Sequence, residues 1–177
     1  LAAGGHRLIH SAKSSASVLA AGASDPTLEG ADIAFGQPDI GDVKRLAGLR
    51  WVALTTAGYT RYDTADFRAA MTGRGTLVTN SSAVFADPCA QQMLAAMLAL
   101  ARNLPTQLRN QDGPREWRYL EDRFTASVLT GQNVLLLGFG AIGRRLAELL
   151  KPFGVEITAY RRTPQGNEGV RVVTDAG

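Results

Sequence analysis

"NVLLLGFGAIGRRLAELLKPFGVEITAY", residues Asn133–Tyr160, is the stretch that decides the fold of this chain. An apolar run leads into Gly138, Gly140 and Gly143, which have the spacing G-x-G-x-x-G. The next segment places its apolar residues on one helical stripe, namely Ile142, Leu146, Leu149 and Leu150. A second apolar run completes the order strand, glycine turn, helix, strand within about 30 residues. This order predicts a parallel βαβ unit that holds a dinucleotide's pyrophosphate at the start of the helix.

Each glycine has its own physical role in such a turn. Gly138 permits the tight turn, Gly140 lets the pyrophosphate approach the backbone, and Gly143 lets helix and strand lie close together. The first N–H groups of the helix then face the phosphates. No Lys-Ser/Thr pair follows the glycines, which excludes a P-loop. We expect cofactor binding by Gly138, Gly140, Ala141, Ile142 and Gly143; the alternative is a glycine turn that binds nothing.

The end of the second strand carries arginines where a dinucleotide site normally has an acidic residue. Arg161 follows Gly143 by 18 residues, close to the roughly 20 that separate the glycines from the ribose-binding carboxylate. A guanidinium offers a rigid fork of donors to phosphate oxygens. We therefore predict that Arg161, Arg162 and Thr163 contact a 2′-phosphate and that NADP is preferred to NAD. The alternative is that both arginines are simply solvated.

Composition excludes several classes of protein. Hydrophobic residues make up 45% of the 177 residues, enough for a packed core. The net charge of +3 is too small to indicate nucleic acid, and the single Cys89 excludes an internal disulfide framework. No apolar run approaches about 20 residues, no signal peptide is visible, and no metal-binding cluster stands out. We expect a cytoplasmic protein without nucleic-acid or membrane partners.

Alternating apolar runs and helix-like segments predict two α/β lobes with parallel sheets. Residues 1–86 should contain about four strands, the first at His6–His10. Residues 87–177 should begin with a long helix that Asp87 caps and Pro105 ends. The polar residues 106–127 should wrap over the surface, and the apolar strand before Gly138 should be buried on both faces. Because the chain starts without Met and stops after a predicted strand, we expect both lobes to be incomplete.

Three segments together resemble the D-isomer-specific 2-hydroxyacid dehydrogenases, the family of glyoxylate and hydroxypyruvate reductases. They are LRWVALTTAGYTRYD (49–63), VTNSSAVFADPCAQQMLAAMLALAR (78–102) and LLLGFGAIGRRLAELLKPFGVEITAYRR (135–162). The resemblance implies a flavodoxin-like substrate-binding lobe, residues 1–86, and a Rossmann lobe for NAD(P), residues 87–177. It also implies a homodimer.

The resemblance assigns the substrate carboxylate to the backbone amides of Ala57 and Gly58. Small residues at a strand's C-terminus leave such N–H groups free to converge on an anion. The family's catalytic arginine, acidic residue and histidine are expected beyond Gly177, so no catalytic residue is assigned here and these residues alone should be inactive. We interpret His6 and His10 as structural or solvent-facing.

Two functions remain open at this point. The first is an NAD(P)H-dependent oxidoreductase that reduces a 2-oxo acid of the glyoxylate or hydroxypyruvate type to a D-2-hydroxy acid. The second is a non-catalytic corepressor-like sensor that binds NAD(H), because relatives with this fold also act in that way.

Overall fold

A computed structural model describes residues 4–17 and 20–174 of the chain. The chain forms two units, Leu1–Ser82 (unit 1) and Ala83–Gly177 (unit 2). The division falls after Ser82, whereas the sequence placed the lobe boundary between residues 86 and 87. Residues 1–3 and 175–177, at the ends of the two predicted lobes, lie outside the described residues.

Unit 1 is a three-stranded parallel sheet with two helices. Its elements are β1 (Ile33–Gly36), α1 (Ile40–Arg45), β2 (Trp51–Leu54), α2 (Ala65–Gly73) and β3 (Leu77–Thr79). The strand order is β1-β2-β3, and Ile33, Trp51 and Leu77 lie side by side across the sheet. Both helices contribute to one apolar core, which contains Val43, Leu46, Leu49, Val52, Leu54, Tyr62, Phe67 and Met71.

The strand expected at His6–His10 is absent from the described part of unit 1. Residues 6–10 have no regular structure, β1 is the edge of the sheet, and Leu8 remains 60% exposed. Two apolar residues bury too little surface to hold a strand against an edge. The prediction of a fourth strand was therefore wrong.

Two buried carboxylates hold the segment that precedes the sheet. Asp25 accepts hydrogen bonds from Ser11 Oγ at 2.6 Å and from Thr27 Oγ1 at 2.6 Å. Asp42, in the first turn of α1, accepts from Ser24 Oγ at 2.7 Å and from the Asp25 N–H at 2.6 Å. The bonds from Ser11 and Thr27 lower the pKa of Asp25 from 3.8 to about 2. The charged form of Asp25 therefore stabilises the folded state.

Unit 2 places helices before and between three parallel strands. Its elements are α3 (Ala86–Ala101), α4 (Leu104–Asp112), α5 (Tyr119–Thr125), β4 (Asn133–Leu137), α6 (Ala141–Leu150), β5 (Glu156–Tyr160) and β6 (Arg171–Val173). The strand order is β4-β5-β6. Helices α3 and α6 pack together over a core that includes Ala90, Leu136, Phe139, Leu146, Ala147, Leu150 and Ala159. The α/β fold with parallel sheets is confirmed in both units.

The long helix α3 differs from its prediction at both ends. It begins at Ala86, directly after a 3₁₀ turn at Ser82–Phe85, and Asp87 lies inside its first turn. The Asp87 carboxylate accepts a hydrogen bond from Arg145 Nε at 2.6 Å and therefore joins α3 to α6 instead of capping α3. Pro105 stands in the first turn of α4, a position that proline favours, so it opens that helix.

Residues 106–127 lie at the surface, as predicted, and they also form helices that the sequence did not reveal. They supply most of α4 and all of α5, and no residue of either helix is buried. Polar helices of this kind lack the apolar stripe that makes a helix visible in sequence.

Strand β4 is an edge strand with one open face in the described chain. It pairs only with β5, and Leu135 and Leu137 are 60% and 80% exposed. Its apolar sequence predicted burial on both faces. Burial of the second face requires a second packed layer, and the described residues supply none there.

Among the described residues, one helical segment is long and apolar enough to cross a membrane. Ser82–Ala101 has 20 residues and a mean hydropathy of 1.3, so the statement that no apolar stretch approaches this length was wrong. One stripe of the segment packs into the unit 2 core, with Ala90 buried and Leu94, Met97 and Leu98 partly buried. The fold of unit 2 therefore accounts for that side of the helix.

Candidate cofactor and substrate sites

The glycine turn joins β4 to α6 with the geometry that its spacing predicts. Gly138 has φ +98°, which strains any residue with a side chain, and its N–H donates to Tyr160 O at 3.0 Å. A Cβ on Gly143 would lie 2.7 Å from Gly138 O. The turn is therefore tied to the end of β5 on one side and pressed against α6 on the other.

Gly140 differs from Gly138 and Gly143 because it combines an ordinary backbone conformation with open space beside it. It is the N-cap residue of α6, and a Cβ built on it would meet nothing within 4 Å. The hydrogen-bond ladder of α6 begins when Arg144 N–H donates to Gly140 O at 3.0 Å. The N–H groups of Ala141, Ile142 and Gly143 precede that ladder and donate to no described acceptor. Open space beside unpaired N–H donors fits the pyrophosphate of a dinucleotide.

Arg161 follows β5 directly, and its side chain returns to the glycine turn. Its Nε donates to Thr163 O at 2.7 Å and its Nη1 to Phe139 O at 3.2 Å. Its side chain is 21% exposed, and its Nη2 donates to no described acceptor. The side chains of Arg162 and Thr163 are exposed. The structure thus brings Arg161 to the predicted cofactor turn and leaves one of its donor groups available.

Two further charged residues lie at this turn and were missed in the sequence. Arg144 has its guanidinium 5.7 Å from the centre of the Phe139 ring and donates through Nη2 to Gln165 Oε1 at 2.5 Å. Glu168 has a side chain only 3% exposed, and its Oε1 lies 3.5 Å from Arg161 Nη1. Arg144 could have been noticed because it directly follows the third glycine. Glu168 carried no signal, because it lies in a loop without a repeating pattern.

The Glu168 carboxylate is enclosed by backbone N–H groups of its own loop. It accepts from the Gln165 N–H at 2.6 Å. This bond lowers the pKa of Glu168, with further contributions from the N–H groups of Glu168 and Gly166 and from the charge of Arg161. Glu168 is therefore ionised at neutral pH.

The predicted substrate loop lies in unit 1, where β2 ends. Its carbonyl oxygens are engaged: Thr56 O accepts from Ser81 N–H at 3.1 Å, and Ala57 O accepts from Asn80 Nδ2 at 2.9 Å. Gly58 O accepts from Thr56 Oγ1 at 2.8 Å. The N–H groups of Ala57 and Gly58 donate to no described acceptor. The loop therefore presents free donors of the kind that bind a carboxylate.

Asn80, Ser81 and Gln37 hold this loop and were not predicted as site residues. Asn80 and Ser81 directly follow β3, while Gln37 Nε2 donates to Thr56 Oγ1 at 3.0 Å. Parallel strands end at one edge of a sheet, so the residues after β1, β2 and β3 meet there. This rule was the available signal for Asn80.

The remaining reactive side chains form no site in residues 4–17 and 20–174. His6 and His10 are exposed in irregular backbone, and Cys89 is half-buried in α3. Within these ranges, no three residues of the types His, Cys, Asp and Glu are grouped to hold a metal ion.

Comparison with known proteins identifies a matching family for unit 2. Residues 94–175 match the family model described as D-isomer specific 2-hydroxyacid dehydrogenase, NAD binding domain. The match covers the glycine turn, α6 and the arginines after β5. These residues are therefore similar to the NAD-binding domain of this family.

Two reductases are similar to this chain. A glyoxylate reductase from Thermococcus litoralis is 35% identical over 117 residues, which is 62% of this chain and 34% of that protein. A glyoxylate/hydroxypyruvate reductase from Arabidopsis thaliana is 25% identical over 133 residues, which is 75% of this chain and 40% of that protein. The chain therefore spans between a third and two fifths of the length of these two relatives.

A solved structure is similar to this chain in fold. A phosphoglycerate oxidoreductase from Rhizobium etli superimposes with a TM-score of 0.69 at 24% identity. The superposition covers 85% of this chain and 52% of that one.

Proposed function

We propose that the protein is an NAD(P)-dependent dehydrogenase that reduces a 2-oxo acid of the glyoxylate or hydroxypyruvate type to the corresponding D-2-hydroxy acid. The observation that carries this proposal is the open space at Gly140 beside the unpaired N–H groups of α6. The names of the two similar reductases support the substrate class.

Each candidate site has a separate task in this proposal. The first turn of α6 holds the pyrophosphate through backbone N–H groups, and Gly140 leaves room for it. The nicotinamide cofactor supplies the hydride when it is bound. Ala57 and Gly58 bind and orient the substrate carboxylate through their free N–H groups. Asn80 keeps that loop in position through its bond to Ala57 O.

NADPH is the proposed cofactor in preference to NADH. Arg144 and Arg161 both contact Phe139 of the turn, and Arg161 Nη2 is available to a phosphate oxygen. Arg162 follows Arg161 in the chain and is exposed. A charge-assisted hydrogen bond contributes roughly 1.5–3 kcal/mol, which corresponds to about a 10- to 100-fold preference. Salt screening at a partly exposed site favours the lower end.

Steady-state kinetics of the whole protein tests this function. We expect NADPH oxidation with glyoxylate or hydroxypyruvate, and a kcat/KM for NADPH about tenfold or more above that for NADH. Arg161→Asp should abolish or reverse the preference, because it replaces the phosphate ligand with a like charge. Equal kcat/KM for the two cofactors would contradict the assignment of Arg161.

The 177 residues alone should bind the cofactor without measurable turnover. Among the described residues of either candidate site there is no histidine to protonate the product alkoxide, and general acid catalysis typically contributes about 10²–10⁴-fold. Turnover of glyoxylate by these residues above a blank would contradict this expectation.

A further inference from the structure

Five residues at the glycine turn form a closed series of contacts, here called the arginine cluster: Phe139, Arg144, Arg161, Gln165 and Glu168. Phe139 contacts both arginines, one through its ring and the other through its carbonyl oxygen. Gln165 accepts from Arg144 through its side chain and donates to Glu168 through its backbone. Glu168 closes the series at Arg161. The loop after β5 is thus fixed to both arginines.

Glu168, the acidic residue of this cluster, lies near the position where a dinucleotide site usually has its carboxylate. A dinucleotide site usually has a carboxylate there, which holds the ribose hydroxyls and repels a 2′-phosphate. Arg161 occupies that position here, yet the carboxylate of Glu168, seven residues later, lies 3.5 Å from its Nη1. The fold therefore places a negative charge beside Arg161, although the residue at the end of β5 is not acidic.

We propose that Glu168 is a specificity-determining residue of the cofactor site, whose carboxylate competes with a 2′-phosphate for Arg161 and so limits the preference for NADP over NAD. This proposal rests on the proposed function, because it assumes a nicotinamide dinucleotide at the turn. Glu168 lies at Nη1 and leaves Nη2 available, but its charge neutralises part of the guanidinium's charge and repels a phosphate that approaches it. NAD lacks the 2′-phosphate and does not compete.

The structure also indicates that Glu168 keeps its negative charge beside Arg161 at neutral pH. Its carboxylate is held by backbone N–H groups that favour the ionised form, so its charge persists through the neutral range. Its side chain is 3% exposed and is held by the loop, so the carboxylate stays beside Arg161 in the folded protein.

Glu168→Gln tests the proposal, because glutamine has nearly the same shape and still accepts hydrogen bonds but lacks the charge. Calorimetric titration of the 177-residue chain with NADP⁺ and with NAD⁺ gives both dissociation constants without relying on activity. We expect NADP⁺ to bind about three- to tenfold more tightly to the variant, since like charges several ångströms apart interact at that scale in a partly exposed site. NAD⁺ affinity should stay the same.

Glu148→Gln is the matched control. Glu148 pairs with Arg145 on α6, and its substitution changes the net charge equally without touching the arginine cluster. This control should leave the ratio of the two dissociation constants unchanged. If Glu168→Gln does not melt cooperatively, Glu168→Ser removes the same charge and should also raise the NADP⁺ to NAD⁺ affinity ratio.

The possible outcomes distinguish the role of Glu168 from the proposed function. An unchanged or reduced affinity ratio in a folded Glu168 variant overturns the role of Glu168 and leaves the proposed function standing. Failure of the unmutated chain to bind either dinucleotide overturns both. A selective gain for NADP⁺, absent from Glu148→Gln, supports the competition.

Discussion

Gly140→Ala is the most selective perturbation of the cofactor site. Gly140 has φ −84° and ψ −156°, a backbone conformation that any residue adopts, and its added Cβ would meet nothing within 4 Å. The substitution should therefore change the free energy of unfolding by less than about 0.5 kcal/mol. The new methyl group would stand in the space that the pyrophosphate needs.

The expected loss of affinity follows from the donors at the start of α6. Hydrogen bonds from backbone N–H to a charged phosphate contribute about 1.5–3 kcal/mol each. Displacing the phosphate from one such donor should therefore weaken NADPH binding about 10- to 100-fold. Titration of NADPH by fluorescence or calorimetry, together with a thermal melt of the same sample, measures both quantities.

The other two glycines supply the controls, because their side chains would disturb the protein itself. Gly138→Ala forces alanine to φ +98°, a strain of about 1–3 kcal/mol, and Gly143→Ala places a Cβ 2.7 Å from Gly138 O. Both should lower the melting temperature, unlike Gly140→Ala. Unchanged NADPH affinity in a Gly140→Ala protein of normal stability would refute the role of the turn in cofactor binding.

Three more expectations concern Asp25, Leu146 and Asn80. The stability of unit 1 should fall as pH drops from about 4 towards 2, because the folded pKa of Asp25 lies below its ordinary 3.8. Thermal melts should show a weaker pH dependence for Ser11→Ala, which removes the hydrogen bond with the largest effect on that pKa. Leu146→Ala should cost about 2–5 kcal/mol in denaturant unfolding, because Leu146 is fully buried, whereas Leu100→Ala, 71% exposed, should cost little. Asn80→Ala should raise the KM for the 2-oxo acid in the whole protein with unchanged cofactor affinity, because it removes the hydrogen bond that holds the loop at Ala57. An equal loss of affinity for the 2-oxo acid and for the cofactor would contradict a local role of Asn80.

Local sequence determined the elements whose patterns are short and complete. The spacing of Gly138, Gly140 and Gly143 was sufficient to predict the turn, because Gly138 and Gly143 each meet a backbone constraint within a few residues. The apolar stripe of α6 was equally readable, and Leu146 and Leu150 are fully buried as expected. These features depend on neighbours in the chain, which the sequence lists directly.

The errors fall where stability depends on partners that sequence does not show. Residues 6–10 look like a strand but have no neighbouring strand, and β4 looks buried on both faces but has only one covered. Helices α4 and α5 have no buried residue and therefore no apolar period to detect.

At the cofactor site, sequence placed Arg161 at the end of β5, and only the tertiary structure decided what surrounds it. The carboxylate of Glu168 reaches the turn because the loop after β5 bends back over the start of α6, where Gln165 accepts a hydrogen bond from Arg144. Charge acts through distance in space, and residues far apart in the chain come within a few ångströms once that loop is folded. The chain alone thus determined that a nucleotide turn exists, while the fold determined the charges around it.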